Sequence, residues 1–285
     1  MEKIAVLIDS TSFLSEELKK ELDIRTVYLN IVINNHSYKE IIDMTADKYY
    51  EYLRDTNNSF PTTSQPAIGE VVACLEKLKE EGYTDVIAIA LSSGISGACS
   101  SYTVAGLMVD GINVHPFDSE VSCKPEGWYA IKAANLIKEG KNSNQIISAL
   151  NEMKKVSKAY FMADDLSHLQ RGGRLSGAQA LVGSLLQVKP LLNFEDKIIV
   201  PFQKIRTYKK VVLRMYELFD EFYQEHKGEN IHVCVLHVDA IEKAHEIKEY
   251  LEDKYPDIAI EIDAISPVIS THLGLGAIGF GWTIL

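Results

Sequence analysis

The strongest constraint on the fold is an alternation of short apolar runs with segments of helical periodicity. Residues 4–8 and 86–91 are apolar throughout, which predicts strands buried on both faces, and residues 114–117 predict a third strand. Between these runs, apolar residues recur at helical spacing from residue 68 to 78, and a later helix ends near Gly140. This rhythm predicts a parallel, doubly wound α/β sheet in the first half of the chain.

The second half predicts a different order of elements. Two apolar runs separated by Glu195-Asp196-Lys197 predict a hairpin with a short charged turn. The remaining segments predict a strand at 159–162, a helix at 208–226, a strand at 232–237, a helix at 241–255 and a strand at 258–265. We therefore expect an N-terminal parallel α/β domain at residues 1–156 and a C-terminal α+β domain at residues 157–285, which suits a chain of 285 residues.

Charge and cysteine usage exclude several classes of function. With 29 basic and 40 acidic residues the net charge is 29 − 40 = −11, which repels phosphate backbones and argues against a nucleic acid partner. The four cysteines stand singly, without a CxxC pair or a histidine at metal-ligand spacing, so neither a disulfide framework nor a zinc or other metal site is expected. Each cysteine is expected to be a small buried side chain.

The location of the protein is predicted from what its sequence lacks. Residues 1–8 have no basic segment, long apolar stretch or cleavage site of a signal peptide. No apolar run approaches the roughly 20 residues that span a bilayer. We expect a cytoplasmic protein without stable membrane insertion.

Three hydroxyl-rich segments follow or lie near predicted strand ends, at residues 9–12, 62–66 and 92–97. Ligands bind beyond the carboxyl ends of strands in open α/β sheets, so these segments together predict a site for an anion. The alternative for each segment is an ordinary helix N-cap. The glycine patterns of dinucleotide-binding folds and P-loops are absent.

A lone histidine, His272, stands beside glycines at 274 and 276. We expect these glycines to open a helix, to let the backbone approach a ligand and to leave the imidazole free to donate to a carboxylate. The alternative is a structural histidine. A serine hydrolase is disfavoured because no GxSxG segment occurs.

The segment at residues 164–176 is the most unusual of the chain. Arg171 and Arg174 flank two glycines, and guanidinium groups on such a loop suit contact with phosphate or carboxylate. The polar composition predicts that both arginines are exposed. The alternative is a solvated loop with an internal ion pair to Asp164 or Asp165.

Taken in order, these segments resemble the DegV family. The resemblance rests on Asp-Ser-Thr after the first strand, Thr63-Ser64-Gln65-Pro66, the SSGISG segment at 92–97, the RGGRLS segment at 171–176 and the HLGLGA segment at 272–277. It implies a fatty acid held in a cleft between two domains. There are two departures from the family pattern: Phe13 follows the Asp-Ser-Thr segment, and Pro125 replaces a glycine.

The resemblance also implies roles for particular residues. The carboxylate of the fatty acid would be held by Thr62, Thr63, Ser64, Ser92, Ser93, Ser96 and His272. Arg171, Arg174 and Arg206 would lie near the head group or contact a kinase. Relatives serve as acyl-carrying subunits of a fatty acid kinase, in which a separate ATP-binding protein phosphorylates the carboxylate for phospholipid synthesis.

We therefore expect a lipid-binding protein that is not an enzyme by itself. Its ligand would be a long-chain fatty acid such as palmitate, stearate or oleate, with no further cofactor. Two alternatives remain: an enzyme acting on a small carboxylated or phosphorylated metabolite in the same cleft, and a lipid sensor without a kinase. A large apolar tunnel would favour lipid, whereas a short polar cleft with a metal would favour the enzyme.

Overall fold

The computed structural model describes residues 2–175 and 189–285, so Ser176 of the RGGRLS segment lies outside the described residues. The first part of the chain forms β1 (Ile4–Asp9), α1 (Glu16–Glu21), β2 (Ile24–Val27), β3 (Asn30–Ile33), β4 (His36–Lys39), α2 (Ala46–Arg54), β5 (Thr62–Ser64), α3 (Ile68–Glu80), β6 (Asp85–Ala90), α4 (Ala98–Met108), β7 (Asn113–Asp118), α5 (Lys124–Lys138) and α6 (Ser143–Val156). The second part forms β8 (Lys158–Met162), α7 (Ser167–Arg171), β9 (Leu191–Glu195), β10 (Ile198–Gln203), α8 (Tyr208–Glu225), β11 (Ile231–His237), α9 (Ile241–Lys254), β12 (Ile260–Ala264), α10 (Pro267–Leu273) and β13 (Ile278–Ile284).

The predicted parallel sheet is confirmed. Its strand order is β2-β1-β6-β7, and all neighbouring strands are parallel. All six residues of β1 and of β6 are buried, as their apolar runs require. The strand order reverses between β1 and β6, so the loops that follow these two strands open a crevice at one edge of the sheet.

A second sheet contains the six strands described after residue 157, in the order β10-β9-β8-β13-β11-β12. Only β11 and β12 pair in parallel; the other neighbours are antiparallel. The predicted hairpin is confirmed as β9 and β10, with Asp196 and Lys197 at φ 47° and 72° in its turn. Positive φ at both central residues matches the right-handed twist of the strands. The domain boundary at 156/157 stays a prediction.

A small antiparallel sheet, β4-β3-β5, was not predicted. It includes Thr62–Ser64, so these hydroxyls lie on a strand and do not cap a helix. Asn34 and Asn35 join β3 to β4 with φ of 49° and 64°. An Asn-Asn pair directly after the β-branched run Ile31-Val32-Ile33 is the sequence signal that could have identified this hairpin.

The expected helix after His272 is wrong. His272 lies in the last turn of α10, Gly274 ends that helix at φ 73°, and Ile278–Ile284 continues as strand β13. Glycine is favoured after a helix because it adopts positive φ without a steric cost. Pro267 stands at the other end of the helix, where its missing N–H is harmless.

The two departures from the family pattern occupy special backbone positions. Phe13 has φ 56° directly after a short 3-10 turn at Ser10–Ser12. Pro125 lies in the first turn of α5, where proline is tolerated. None of the helices in the described residues has the length and apolar character needed to cross a bilayer.

The buried apolar side chains of both sheets meet in one continuous cluster. Leu7 and Ile89 of the parallel sheet belong to it together with Phe161 and Leu236 of the larger sheet. A second cluster lies on the opposite face of the larger sheet, under α8 and α9. The space between the two sheets is therefore apolar, and the candidate site lies within it.

Candidate functional site

A cavity of about 320 Å³ lies between the two sheets. Its walls come from both halves of the chain and are largely aliphatic and aromatic, including Leu29, Leu91, Ile95, Phe161, Leu169, Phe194, Ile199, Leu236, Ile265, Val268, Ile269, Leu273 and Phe280. This volume falls within the range of small-molecule sites, about 300 to 1,000 Å³. The cavity suits an apolar ligand.

Most of the polar side chains in the lining form a group around His272. The Nε2 atom of His272 lies 2.8 Å from Oγ1 of Thr63, while its Nδ1 atom is buried without a hydrogen-bond partner in the described part of the chain. Burial is the main cause that lowers the pKa of His272 to about 3, and the positive charges of Arg174 and His168 lower it further. The imidazole is therefore neutral near pH 7 and able to donate one hydrogen bond.

Arg174 also lines the cavity, so its predicted exposure is wrong. Its side chain is partly buried and donates to the carbonyl of Ile95 at 3.0 Å and to that of Gly172. Burial lowers the pKa of this guanidinium, and no carboxylate lies within ion-pair distance of it in residues 2–175 and 189–285. The positively charged guanidinium of Arg174 therefore lies at the cavity, and no carboxylate of the described residues pairs with it.

Two glycines permit close packing around this polar group. A Cβ atom at Gly172 would collide with the ring of His272, and one at Gly97 would collide with the amide of Gln65. Gly172 follows α7 and His272 lies in the last turn of α10, so the absence of a side chain at Gly172 lets these two short helices approach each other closely. Gly172 of the RGGRLS segment thus leaves the space that the imidazole of His272 occupies.

Five of the predicted site residues line the cavity: Thr63, Ser64, Ser96, Arg174 and His272. They come from β5, the loop before α4, the residues after α7, and α10. Contacts link them in space, because His272 contacts both Thr63 and Gly172, and Arg174 bonds to Ile95 next to Ser96.

The other three predicted hydroxyls lie elsewhere. Thr62 is exposed on β5. Ser92 is buried and donates to the carbonyl of Lys197 at 2.6 Å, which ties its loop to the β9–β10 turn. Ser93 donates to the carboxylate of Asp118 and does not line the cavity.

The remaining predicted arginines also lie outside the cavity. Arg171 is exposed, with its guanidinium 5.3 Å from the ring centroid of Phe60, and Arg206 is exposed just before α8. Asp164 pairs with Lys189 at 2.9 Å and with Lys243 at 3.7 Å. Among the described residues neither Asp164 nor Asp165 lies within ion-pair distance of Arg171 or Arg174, so the alternative of an internal ion pair is wrong.

The apolar walls were missed by sequence reasoning. Phe194 and Ile199 are opposite each other in the register of β9 and β10, and both line the cavity. Cross-strand partners point to the same face of a hairpin, so the predicted hairpin alone indicates that Phe194 and Ile199 share one face. Nothing in the local sequence identifies the surface that this face covers.

Buried carboxyl groups hold the loops beside the cavity. Asp9 accepts from the backbone N–H of Thr11 at 2.9 Å and from that of Leu91 at 2.8 Å, so its role is structural. Glu40 accepts from the hydroxyl of Ser10 and from the N–H of Val268, the latter at 3.0 Å. Burial raises the pKa of Glu40 to about 7. This group anchors α10 and therefore His272.

The predicted burial of the four cysteines is found for two of them. Cys123 and Cys234 are buried, whereas Cys74 and Cys99 are partly exposed. Burial raises the pKa of all four thiols, that of Cys123 to about 12. The thiolate form needed for nucleophilic chemistry is disfavoured at each position.

Comparison with known proteins identifies close relatives over the whole chain. A family model described as "Uncharacterised protein, DegV family" matches residues 3–284. Protein DegV of Bacillus subtilis is 50% identical over 280 residues, covering 98% of each chain. A DegV domain-containing protein of Listeria innocua is 46% identical over 283 residues, covering 99% of each chain.

Solved structures of DegV family proteins superpose on the whole chain. The crystal structure of DegV from Bacillus subtilis, described as a fatty acid binding protein, superposes with a TM-score of 0.94 at 48% identity and full coverage of both chains. A fatty acid binding DegV family protein from Streptococcus agalactiae superposes with a TM-score of 0.91 at 29% identity, again with full coverage of both chains.

Proposed function

The chain belongs to the DegV family, and from that premise we propose that it binds one long-chain fatty acid and presents the carboxylate to a separate kinase. The acyl chain would occupy the apolar cavity between the sheets. The carboxylate would lie at the polar group formed by Thr63, Ser64, Ser96, Arg174 and His272. The protein itself would carry out no chemistry.

One observation carries this proposal: a mainly apolar cavity of about 320 Å³ has most of its polar lining residues grouped around His272. A small polar metabolite would leave most of these walls without a partner. A carboxylate, by contrast, can accept from the hydroxyl of Ser96, the neutral imidazole of His272 and the guanidinium of Arg174. The observation favours lipid over the alternative of a small-metabolite enzyme.

The magnitudes agree with a lipid. Burying about 14 methylene groups at ~0.8 kcal/mol each gives roughly 11 kcal/mol, comparable with the ~4 to 15 kcal/mol cost of association. Charge-assisted hydrogen bonds add about 1.5 to 3 kcal/mol each. The tail therefore drives binding, and the head group adds affinity and sets the orientation.

The test is denaturing extraction of the purified protein followed by lipid mass spectrometry. We expect about one fatty acid per chain, because an apolar cavity of this size is costly to leave empty or wet. Extracts that are repeatedly free of fatty acid, from protein that also fails to take one up, would refute the proposal.

The transfer to a kinase is tested separately. Arg171 is exposed next to the proposed head-group site, which suits contact with a partner or its phosphates. Formation of an acyl phosphate after addition of ATP and a separate ATP-binding fatty acid kinase would support the transfer. Lipid binding without any acyl phosphate would leave a lipid sensor as the function.

A further inference from the structure

Strand β13 leads away from the proposed head-group site along one wall of the cavity. It begins at Ile278, which pairs with Met162 at the end of β8, and both α7 and α10 adjoin that end of the two strands. Gly279 lines the cavity. Gly281 points to the same face, because side chains alternate along a strand, but it does not line the cavity. Along this strand the cavity therefore ends between Gly279 and Gly281.

The ring of Pro125 occupies the space beside Gly281. A Cβ atom at Gly281 would lie 2.7 Å from Cγ of Pro125 and 3.4 Å from Sγ of Cys234. Pro125 is buried in the first turn of α5, and Cys123, two residues earlier, lines the cavity. The first turn of α5 therefore forms the end wall of the cavity, with the proline ring directly behind Cys123.

The two glycines of β13 differ in what fills the space above them. A Cβ atom at Gly279 would come no closer than 3.3 Å to another residue, the side chain of Leu236. Glycine inside a strand costs stability and often marks a place where a ligand or another chain segment approaches closely. The ring of Pro125 is that neighbour for Gly281, whereas Gly279 leaves its space to the cavity.

This end wall is held from both sides. Helix α5 packs against β1 of the parallel sheet and against β13 of the larger sheet. A Cβ atom at Gly127 would collide with the carbonyl of Ser12 in the loop after β1. Residues two positions apart lie on nearly opposite sides of a helix, so Gly127 presses against one sheet while Pro125 presses against the other. A wall packed in this way does not move aside for additional methylene groups.

A neighbouring cavity of about 190 Å³ offers the acyl terminus a less favourable place. It shares Ala159 with the first cavity, and its lining includes Glu120 and Lys154, which form an ion pair at 3.0 Å. A terminal methyl group gains from leaving water for an apolar surface, and the ring of Pro125 provides one. The end of the acyl chain therefore belongs at α5.

We propose that the ring of Pro125 determines the longest acyl chain that the cavity accepts. The inference rests on the proposed function, because it requires the carboxylate at His272 and the terminal methyl group at α5. It assigns to this cavity the straight-chain fatty acids up to a length that Pro125 sets. Each methylene group that finds no space in the cavity loses roughly a factor of four in affinity.

The test is a competition on the full chain among saturated acids from myristate to behenate, with the bound acids quantified by mass spectrometry. Pro125→Ala removes Cγ and Cδ of the ring and leaves space for about two methylene groups. We expect the longest acid that binds well to gain about two carbon atoms, so the first acid excluded by the unmodified chain rises roughly tenfold relative to palmitate. Pro256→Ala is the matched control at an exposed turn and should leave the profile unchanged. Equal profiles in both variants overturn the assignment.

A second substitution tests the position of the wall. Gly281→Ala, added to Pro125→Ala, returns a methyl group to the same space from the facing strand. The longest acid that binds well should then shorten again by about one carbon atom. A limit that stays at the greater length overturns the proposed contact between the acyl terminus and this wall.

A photolabel decides the question on the unmodified chain if Pro125→Ala does not fold. A palmitate analogue with a diazirine next to its methyl end is bound, irradiated and mapped by peptide mass spectrometry. Crosslinks at Cys123 or Pro125 support the end wall. Crosslinks at neither residue, including labelling confined to Lys154 in the neighbouring cavity, overturn it. Failure of every acid to bind the unmodified chain refutes instead the proposed function.

Discussion

Arg174 offers the sharpest test of the head-group site. Its guanidinium lines the cavity, is partly buried, and bonds to two backbone carbonyls. In Arg174→Met, an apolar side chain of similar length replaces the cation. A lost charge-assisted hydrogen bond costs about 1.5 to 3 kcal/mol, so fatty acid affinity should fall roughly tenfold to 150-fold.

The stability of the lipid-free protein should respond differently. The variant loses two hydrogen bonds to Ile95 and Gly172, but it also removes the desolvation cost that lowers the pKa of Arg174. These contributions oppose each other, so the free energy of unfolding in urea should change by less than about 1 kcal/mol.

The matched control is Arg171→Met, which removes the same charge from the same segment but from an exposed position over Phe60. Its fatty acid affinity, measured by displacement of a fluorescent fatty acid, should stay within about threefold of the unmodified protein. Equal losses in both variants would show a long-range charge effect, and unchanged affinity in Arg174→Met would place the carboxylate elsewhere.

Three further predictions concern hydroxyls, pH and transfer. Ser96→Ala should weaken binding by about 1 to 3 kcal/mol, whereas Ser93→Ala, whose hydroxyl bonds to a carboxylate outside the cavity, should have little effect in the same displacement assay. The free energy of unfolding should fall as pH rises from 4.5 to about 7, because folded Glu40 keeps its proton while the unfolded carboxyl ionises. Glu40→Gln should reduce this fall by up to ~3 kcal/mol in urea titrations at both pH values; an unchanged slope would contradict the raised pKa. Arg171→Ala should slow acyl-phosphate formation with a kinase and ATP while lipid loading stays normal, and normal turnover would exclude the arginine from the docking contact.

The sequence by itself determined the parallel sheet, the hairpin and the family. Residues 4–8 and 86–91 are apolar without interruption, and such runs are stable only between two covering layers. The turn at Asp196 and Lys197 is likewise a local property of the chain. The ordered motifs were sufficient to identify the DegV family because their order does not depend on three-dimensional contacts.

Only the tertiary structure decided which predicted residues meet at the cavity. Ser93 and Ser96 are three positions apart in one loop, yet the first bonds to Asp118 and the second lines the cavity. Arg171 and Arg174 are also three positions apart, yet Arg171 is exposed and Arg174 lines the cavity. In loops of this kind, no helical or strand periodicity fixes the direction of a side chain, so contacts with distant segments decide it.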